Sequence, residues 1–262
     1  MRQLLRADLY RLLKSKLTLV SLILAAVMPL LFSALFLGLK EFVKFADPSS
    51  SAMIELALNG HTLVASTFSL TNNIGIILPV FATIFVMNDL TSGTIRNKVI
   101  LGHSRHKIFA SSFLCAFFYC AALIAIYAAM TALWGGLILG FGEISEARIV
   151  SLVYFYILGL AEFAFVSAAA TCLPLLTLNS AASVLLTILV CLSFGLLSSI
   201  IAAFDYSSFA HVANFIPGFV ATTFQMKEID LTMFLEGLAG TLLFALAFYL
   251  LGTFGFNKRD LK

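Results

Sequence analysis

The chain has 262 residues, of which 61% are hydrophobic and 11% charged, with a formal net charge of +3 and a mean hydropathy of +1.04. A soluble domain carries about 25% charged residues, so this composition excludes a soluble globule. It also excludes a nucleic-acid footprint, because the cations gather in the gaps between apolar runs instead of forming one basic patch.

Residues 1–16 put Leu4, Leu5, Leu9, Leu12 and Leu13 on one helical face and Arg2, Arg6, Asp8, Arg11 and Lys14 mostly on the other. This pattern predicts a basic amphipathic helix lying in the membrane interface. The apolar run 17–39 is too long for the core of a signal peptide and predicts a first span that stays attached. An outer loop over 40–60 follows, with turn chemistry at Asp47-Pro48-Ser49. A second span is predicted over 62–87, carrying Asn72, Asn73 and Pro79, and a third over 108–136, with Trp134 at its outer end. Uncharged sequence continues to Gly142, longer than the ~20 residues needed to cross the hydrocarbon, so this helix is tilted or extends past it.

Glu143, Glu146 and Arg148 mark a short outer loop before a fourth span over 149–175. Pro174 and Asn179 break that run, and a fifth span is predicted over 180–203. The segment 204–235 has an apolar middle split by Pro217-Gly218, too short for a span, and reads as a re-entrant or interfacial hairpin on the outer side. A sixth span over 237–256 leads into a basic tail. Numbering the gaps alternately, with the N-terminus inside, puts twelve of the sixteen Lys and Arg inside, and leaves only Lys40, Lys44, Arg148 and Lys227 outside. That asymmetry predicts a multi-pass cell-membrane protein with both termini cytoplasmic. The fold class is thus an all-α integral membrane protein, a single transmembrane domain over 1–262 with six spans.

The cysteines (Cys115, Cys120, Cys172, Cys191) all lie in apolar runs without metal-ligand spacing and read as packing residues. The chain has no phosphate-binding G-x-x-x-x-G-K-[ST], no H-E-x-x-H and no G-x-S-x-G, so no catalytic residue, metal ligand or cofactor site is expected. The inner segment 88–107 is the most suggestive polar stretch. Asp89 precedes Thr91-Ser92-Gly93-Thr94, which offer N-cap hydroxyls, and Ile95, Val99 and Ile100 alternate with Arg96 and Lys98 as in a short amphipathic helix. From the residues alone it reads equally as a helix docking on a soluble partner and as a basic loop held at lipid headgroups. Glu162 is the one ionisable residue well inside a span. A charge at that depth is costly and should face the bundle interior or a polar cavity, with Asn72 or Asn73 as candidate partners. It reads either as a contact for a cationic or amphipathic substrate or as a hydrogen bond between helices.

Four features, in this order, resemble the membrane subunit of an ATP-binding cassette transporter of the ABC-2 type. They are the amphipathic lead-in from Leu4 to Leu13, the segment from Asp89 through Gly93-Thr94 to Arg105, the outer apolar hairpin around Phe215-Ile216-Pro217, and the tail from Phe256 to Asp260. An acidic residue is usual near the position of Asp89, more often Glu than Asp. The resemblance implies a six-span permease subunit that pairs with a second membrane subunit, as a homodimer or heterodimer, and with separate ATPase subunits. ATP and Mg²⁺ are then bound by the partner and not by this chain. It implies too that 88–107 is the coupling helix, with Asp89, Gly93, Thr94, Arg96 and Arg105 contacting the ATPase. The expected activity is export of an amphipathic peptide, lipid-like molecule or drug. The alternatives are a stand-alone membrane enzyme acting on lipid, for which Glu162 alone supplies no constellation, and a non-transporting scaffold or sensor.

Overall fold

The computed structural model describes residues 2–46, 60–68, 70, 73–140, 146–204, 209–223 and 229–258. Among these residues every regular element is helical and no strand occurs. In chain order the helices are α1 (Arg2–Leu13), α2 (Lys16–Ala46), α3 (Gly60–Ala65) continued by a 3₁₀ turn (Ser66–Phe68), α4 (Asn73–Thr91), α5 (Thr94–Ile100), α6 (Arg105–Leu139), α7 (Glu146–Thr177), α8 (Ser180–Ala203), α9 (Ala210–Asn214), α10 (Phe219–Thr223) and α11 (Leu231–Lys258).

Among the described residues five helices are long and apolar enough to cross a membrane: α2, α6, α7, α8 and α11. A sixth span is reached only by joining α4 to α5 across a 54° bend. The second predicted span, 62–87, is therefore not one continuous helix. Its first part is α3 and the 3₁₀ turn, where the hydroxyls of Ser66 and Thr67 both donate to the Leu63 carbonyl, at 2.8 and 3.3 Å. Such side-chain bonds give the backbone an alternative to the helical ladder. The 35 residues of α6 make a helix about 52 Å long at 1.5 Å per residue, well beyond a ~30 Å hydrocarbon core. The last helix starts at Leu231, earlier than the predicted 237 and inside the stretch 204–235 read as the hairpin.

Helix α7 is the axis of the bundle. Of its most apolar window 61% is buried, against 22% for α2, α8 and α11. Those three helices keep large side chains exposed along one side, such as Leu31, Leu189 and Leu243, as helices facing lipid do. Close approaches to α7 use small residues: Gly159 leaves room for the Phe68 ring, and an added Cβ there would lie 2.0 Å from Phe68 Cδ1. Polar ties also join helices. Thr83 donates to Thr187 (3.1 Å) between α4 and α8, and the Tyr119 hydroxyl donates to Ser21 (2.7 Å) between α6 and α2. All four cysteines are buried and free.

Candidate functional sites: a charged seat and a buried carboxyl

At the end of the bundle that carries both chain termini, α1 does not float on the surface. Leu4, Asp8 and Leu12, spaced at i, i+4 and i+8, form its buried stripe, at 5, 2 and 4% exposure. Asp8 thus lies on the packed face, whereas the charge pattern assigned it to the polar one, and Leu13 is 72% exposed. The Asp8 carboxylate accepts from Lys98 Nζ at 2.7 Å and from the Ser111 hydroxyl at 2.8 Å. Arg11 stands 3.3 Å from Asp8 and is also bonded to Asp89, whose carboxylate lies 3.8 Å from Lys98 Nζ. Two acids and two bases therefore alternate between α1, the end of α4 and α5, with a hydroxyl added from the start of α6. A buried charge survives only when paired and hydrogen-bonded, and this arrangement meets that condition for both carboxylates.

This cluster forms the seat of α5. Its inner face sends Lys98 into the cluster and Ile95, 1% exposed, into a small apolar core with Ile108, Phe109, Leu175 and Phe256. Gly93 and Gly102 flank the helix with φ of +71° and +83°, left-handed conformations that glycine adopts without a Cβ penalty. The N-cap position belongs to Gly93, without a side-chain cap, and the Ser92 and Thr94 hydroxyls pair with each other instead of capping the backbone. The outer face presents Arg96 and Asn97, and Ile100 and Leu101 are 72 and 76% exposed. Beside the seat, a cavity of about 320 Å³ is lined by residues including Arg11, Phe85, Asn88, Asp89, Ser92 and Thr94.

The five residues singled out in this segment thus occupy different environments. Arg96 faces outward. Gly93 and Thr94 form the bend. Asp89, 3% exposed, is turned inward to the cluster. Arg105 donates through Nη1 to the carbonyls of Phe256 (2.9 Å) and Asn257 (3.0 Å) and so ties α6 to the last turn of α11, where a cation is favoured. Sequence reasoning missed Asp8, Arg11, Lys98 and Ser111 as partners. The Leu4–Asp8–Leu12 spacing was the signal for Asp8.

The second site lies midway along α7. Glu162 is 2% exposed. Its carboxyl lies against the Gly218 backbone N–H, and Oε2 has no partner. Gly218 (φ +84°) is the turn between α9 and α10, and every residue from Pro217 to Ala221 is buried. The α9–α10 hairpin is therefore inserted into the bundle down to the level of Glu162. Ser198 on α8 donates to the Pro217 carbonyl at 3.2 Å, a second tie at the tip. Its first arm is held to α11, with Asn214 Nδ2 2.7 Å from one Glu236 oxygen and His211 Nδ1 2.7 Å from the other. Asn72 lies outside the described residues; Asn73 opens α4, and its side chain is not described.

On Glu162's own face, Phe155 lies two turns earlier and Gly159 one turn earlier. Phe68 packs edge-on against Phe155 and Tyr156, at ring distances of 5.0 and 5.1 Å, and lies 6.3 Å from Phe163. Two interrupted helical segments, α3 with its 3₁₀ turn and the α9–α10 hairpin, therefore meet α7 close to Glu162, and the first brings Phe68 to the rings on the preceding turns.

A family profile described as "Protein of unknown function (DUF2705)" matches residues 19–262. The chain belongs to the DUF2705 family. The match takes in Asp89, Lys98, Ser111 and Glu162, whereas Asp8 and Arg11 precede it. No curated protein and no solved structure matches this DUF2705 chain.

Proposed function

We propose that the chain is the membrane-spanning permease subunit of an ABC-2-type transporter, exporting an amphipathic substrate through ATP hydrolysis in a separate soluble subunit. The observation that carries this reading is the form of α5. It is a seven-residue helix set at 54° to α4, between two apolar helices, with one face locked into the bundle and the other bearing Arg96, Asn97, Ile100 and Leu101 outward. An isolated helix of that length does not hold its shape in water, so its rigidity comes from the seat beneath it. A moving partner pressing on the outer face would pass its displacement through Lys98 to α1 and α6, and through Ile95 to the ends of α7 and α11. The cavity beside the seat leaves room for that shift. A partner drives the bundle between two states only if it binds one of them better.

In this reading the end with α1, α5 and the tail is cytoplasmic in the cell membrane, as the Lys and Arg asymmetry supports. The exposed apolar sides of α2, α8 and α11 are shared between lipid and a second membrane subunit. ATP and Mg²⁺ are held by the ATPase. Glu162 belongs to the substrate region, at the depth where interrupted helices place binding sites in transporters.

The test is purification from native membranes with a mild detergent, with identification of what comes along. A soluble protein carrying a nucleotide-binding motif, near 1:1, whose ATPase rate depends on this chain, is the expected result. A chain that purifies alone, and whose membranes export normally after α5 is scrambled, would end this reading.

A further inference from the structure

We infer that Glu162 and the aromatic rings beside it form a binding site for a lipophilic monovalent cation, such as an amine or quaternary onium group on an apolar body, closed in this structure by the tip of the outer hairpin. The inference deepens the export reading by naming a substrate class, although the binding step needs neither ATP nor a partner.

Three observations converge on it. First, Glu162 keeps one carboxyl oxygen without a partner at 2% exposure, and among the described residues the Gly218 N–H is the donor set against the carboxyl. A carboxylate placed in apolar surroundings requires a positive charge or a proton on that oxygen. Second, the neighbouring side chains are rings and not cations. Phe155 shares the Glu162 face, Phe68 reaches over Gly159, and Phe163 lies against Phe68. Ring faces with one carboxylate are the combination that recognises a bulky organic cation, because they attract positive charge without offering the donors an anion needs. Third, the N–H that faces the carboxyl comes from a hairpin tip that Ser198 ties to α8 through the Pro217 carbonyl.

The surroundings are already packed, with Phe68 and Phe155 at 2 and 0% exposure, so a ligand enters only as the tip withdraws. The cation then takes the place of the Gly218 N–H on the carboxyl and lies among the rings. A helix-to-helix hydrogen bond alone explains the Gly218 contact. It does not explain an ionisable group with an empty oxygen where a glutamine or serine would serve.

The test uses two probes of one shape and opposite charge, tetraphenylphosphonium and tetraphenylborate, with the purified full chain in lipid nanodiscs and without ATP. Saturable binding of tetraphenylphosphonium is expected, with no saturable binding of tetraphenylborate. Glu162→Gln should weaken the cation by about tenfold or more, the worth of one charge-assisted contact. Phe68→Leu should weaken it by a smaller factor. Glu162→Asp, which keeps the charge, should retain more affinity than Glu162→Gln, and size-exclusion profiles show whether each variant is folded. Equal binding of tetraphenylphosphonium by wild type and Glu162→Gln would overturn the inference. So would saturable binding of both ions, which would reveal an apolar cleft without charge preference, or no cation binding at all. Failure to find an ATPase partner would count against the export reading and leave the binding result standing.

Discussion

Removing the charge of Asp8 while keeping its shape isolates what the ion cluster does. In Asp8→Asn the amide still fits between Lys98 and Ser111. Lys98, 8% exposed, then keeps only Asp89, at 3.8 Å. The cluster goes from two acids and two bases to one acid and two bases, in a site where all four groups are at least partly withdrawn from water. Breaking one member of a buried pair costs about 3–5 kcal/mol, because the survivor is left uncompensated. At about 2–4 °C per kcal/mol for a chain of this size, the melting temperature should fall by ~6–20 °C. Lys98→Met should cost a similar amount, since it leaves Asp8 with Arg11 at 3.3 Å and the Ser111 hydroxyl. The double variant Asp8→Asn/Lys98→Met removes one charge of each sign and leaves the Arg11–Asp89 pair intact. Its cost should fall short of the sum of the single costs by ~1–3 kcal/mol, the range of coupling between residues in one network. Four proteins in detergent, compared by thermal unfolding, give the cycle. A cost below about 0.5 kcal/mol for Asp8→Asn, or strict additivity, would refute the idea that α1 and α5 are held by a mutually compensating cluster.

Other outcomes separate the roles of neighbouring residues. Arg96→Glu, on the outer face of α5, should leave melting within about 0.5 kcal/mol of wild type yet reduce co-purification of the ATPase; unchanged capture would count against the outer face as the docking surface. Arg105→Ala should destabilise by ~1–3 kcal/mol, because two carbonyls at the end of α11 lose their donor, and the loss should show as faster hydrogen exchange at Phe256 and Asn257. Ile95→Ala should cost ~2–5 kcal/mol through the void left against Ile108, Phe109 and Phe256, with partner capture falling in parallel if the seat gives α5 its rigidity. Gly159→Ala should cost ~1–3 kcal/mol, because the new methyl meets the Phe68 ring, and pairing it with Phe68→Leu should recover part of the loss.

The long apolar helices were legible because each carries a run longer than any buried soluble helix needs, and the charges mark its ends. The break inside 62–87 was less so. Asn72, Asn73 and Pro79 were visible, yet Pro79 sits within α4, and the interruption falls earlier, at hydroxyls whose bonds to Leu63 composition does not reveal. Asp8 was misplaced because the sum of charges on a helix says which face is polar, not which single acid is drawn inward by a lysine ninety residues on. Lys98 was counted as a topological charge for the same reason. Glu162 was found by its depth alone, but its partner was not, since a backbone N–H on a distant hairpin leaves no trace in side-chain pattern. The Asn214–His211–Glu236 fastening joins residues 22 and 25 apart across separate elements and has no periodic signature at all.

The charged seat also sets a schedule for biogenesis. Its members come from positions 8, 11, 89, 98 and 111, so its first acid and base leave the ribosome about a hundred residues before the last hydroxyl. Until α4 and α5 emerge, Asp8 and Arg11 have only each other and interfacial water, and until α6 begins, α1 lacks the Ser111 hydroxyl and the helix face that complete its berth. The N-terminal helix is thus the earliest segment made and among the last to dock. A nascent chain halted before Arg105 should leave it open to protease, and one extended through α6 should bury it.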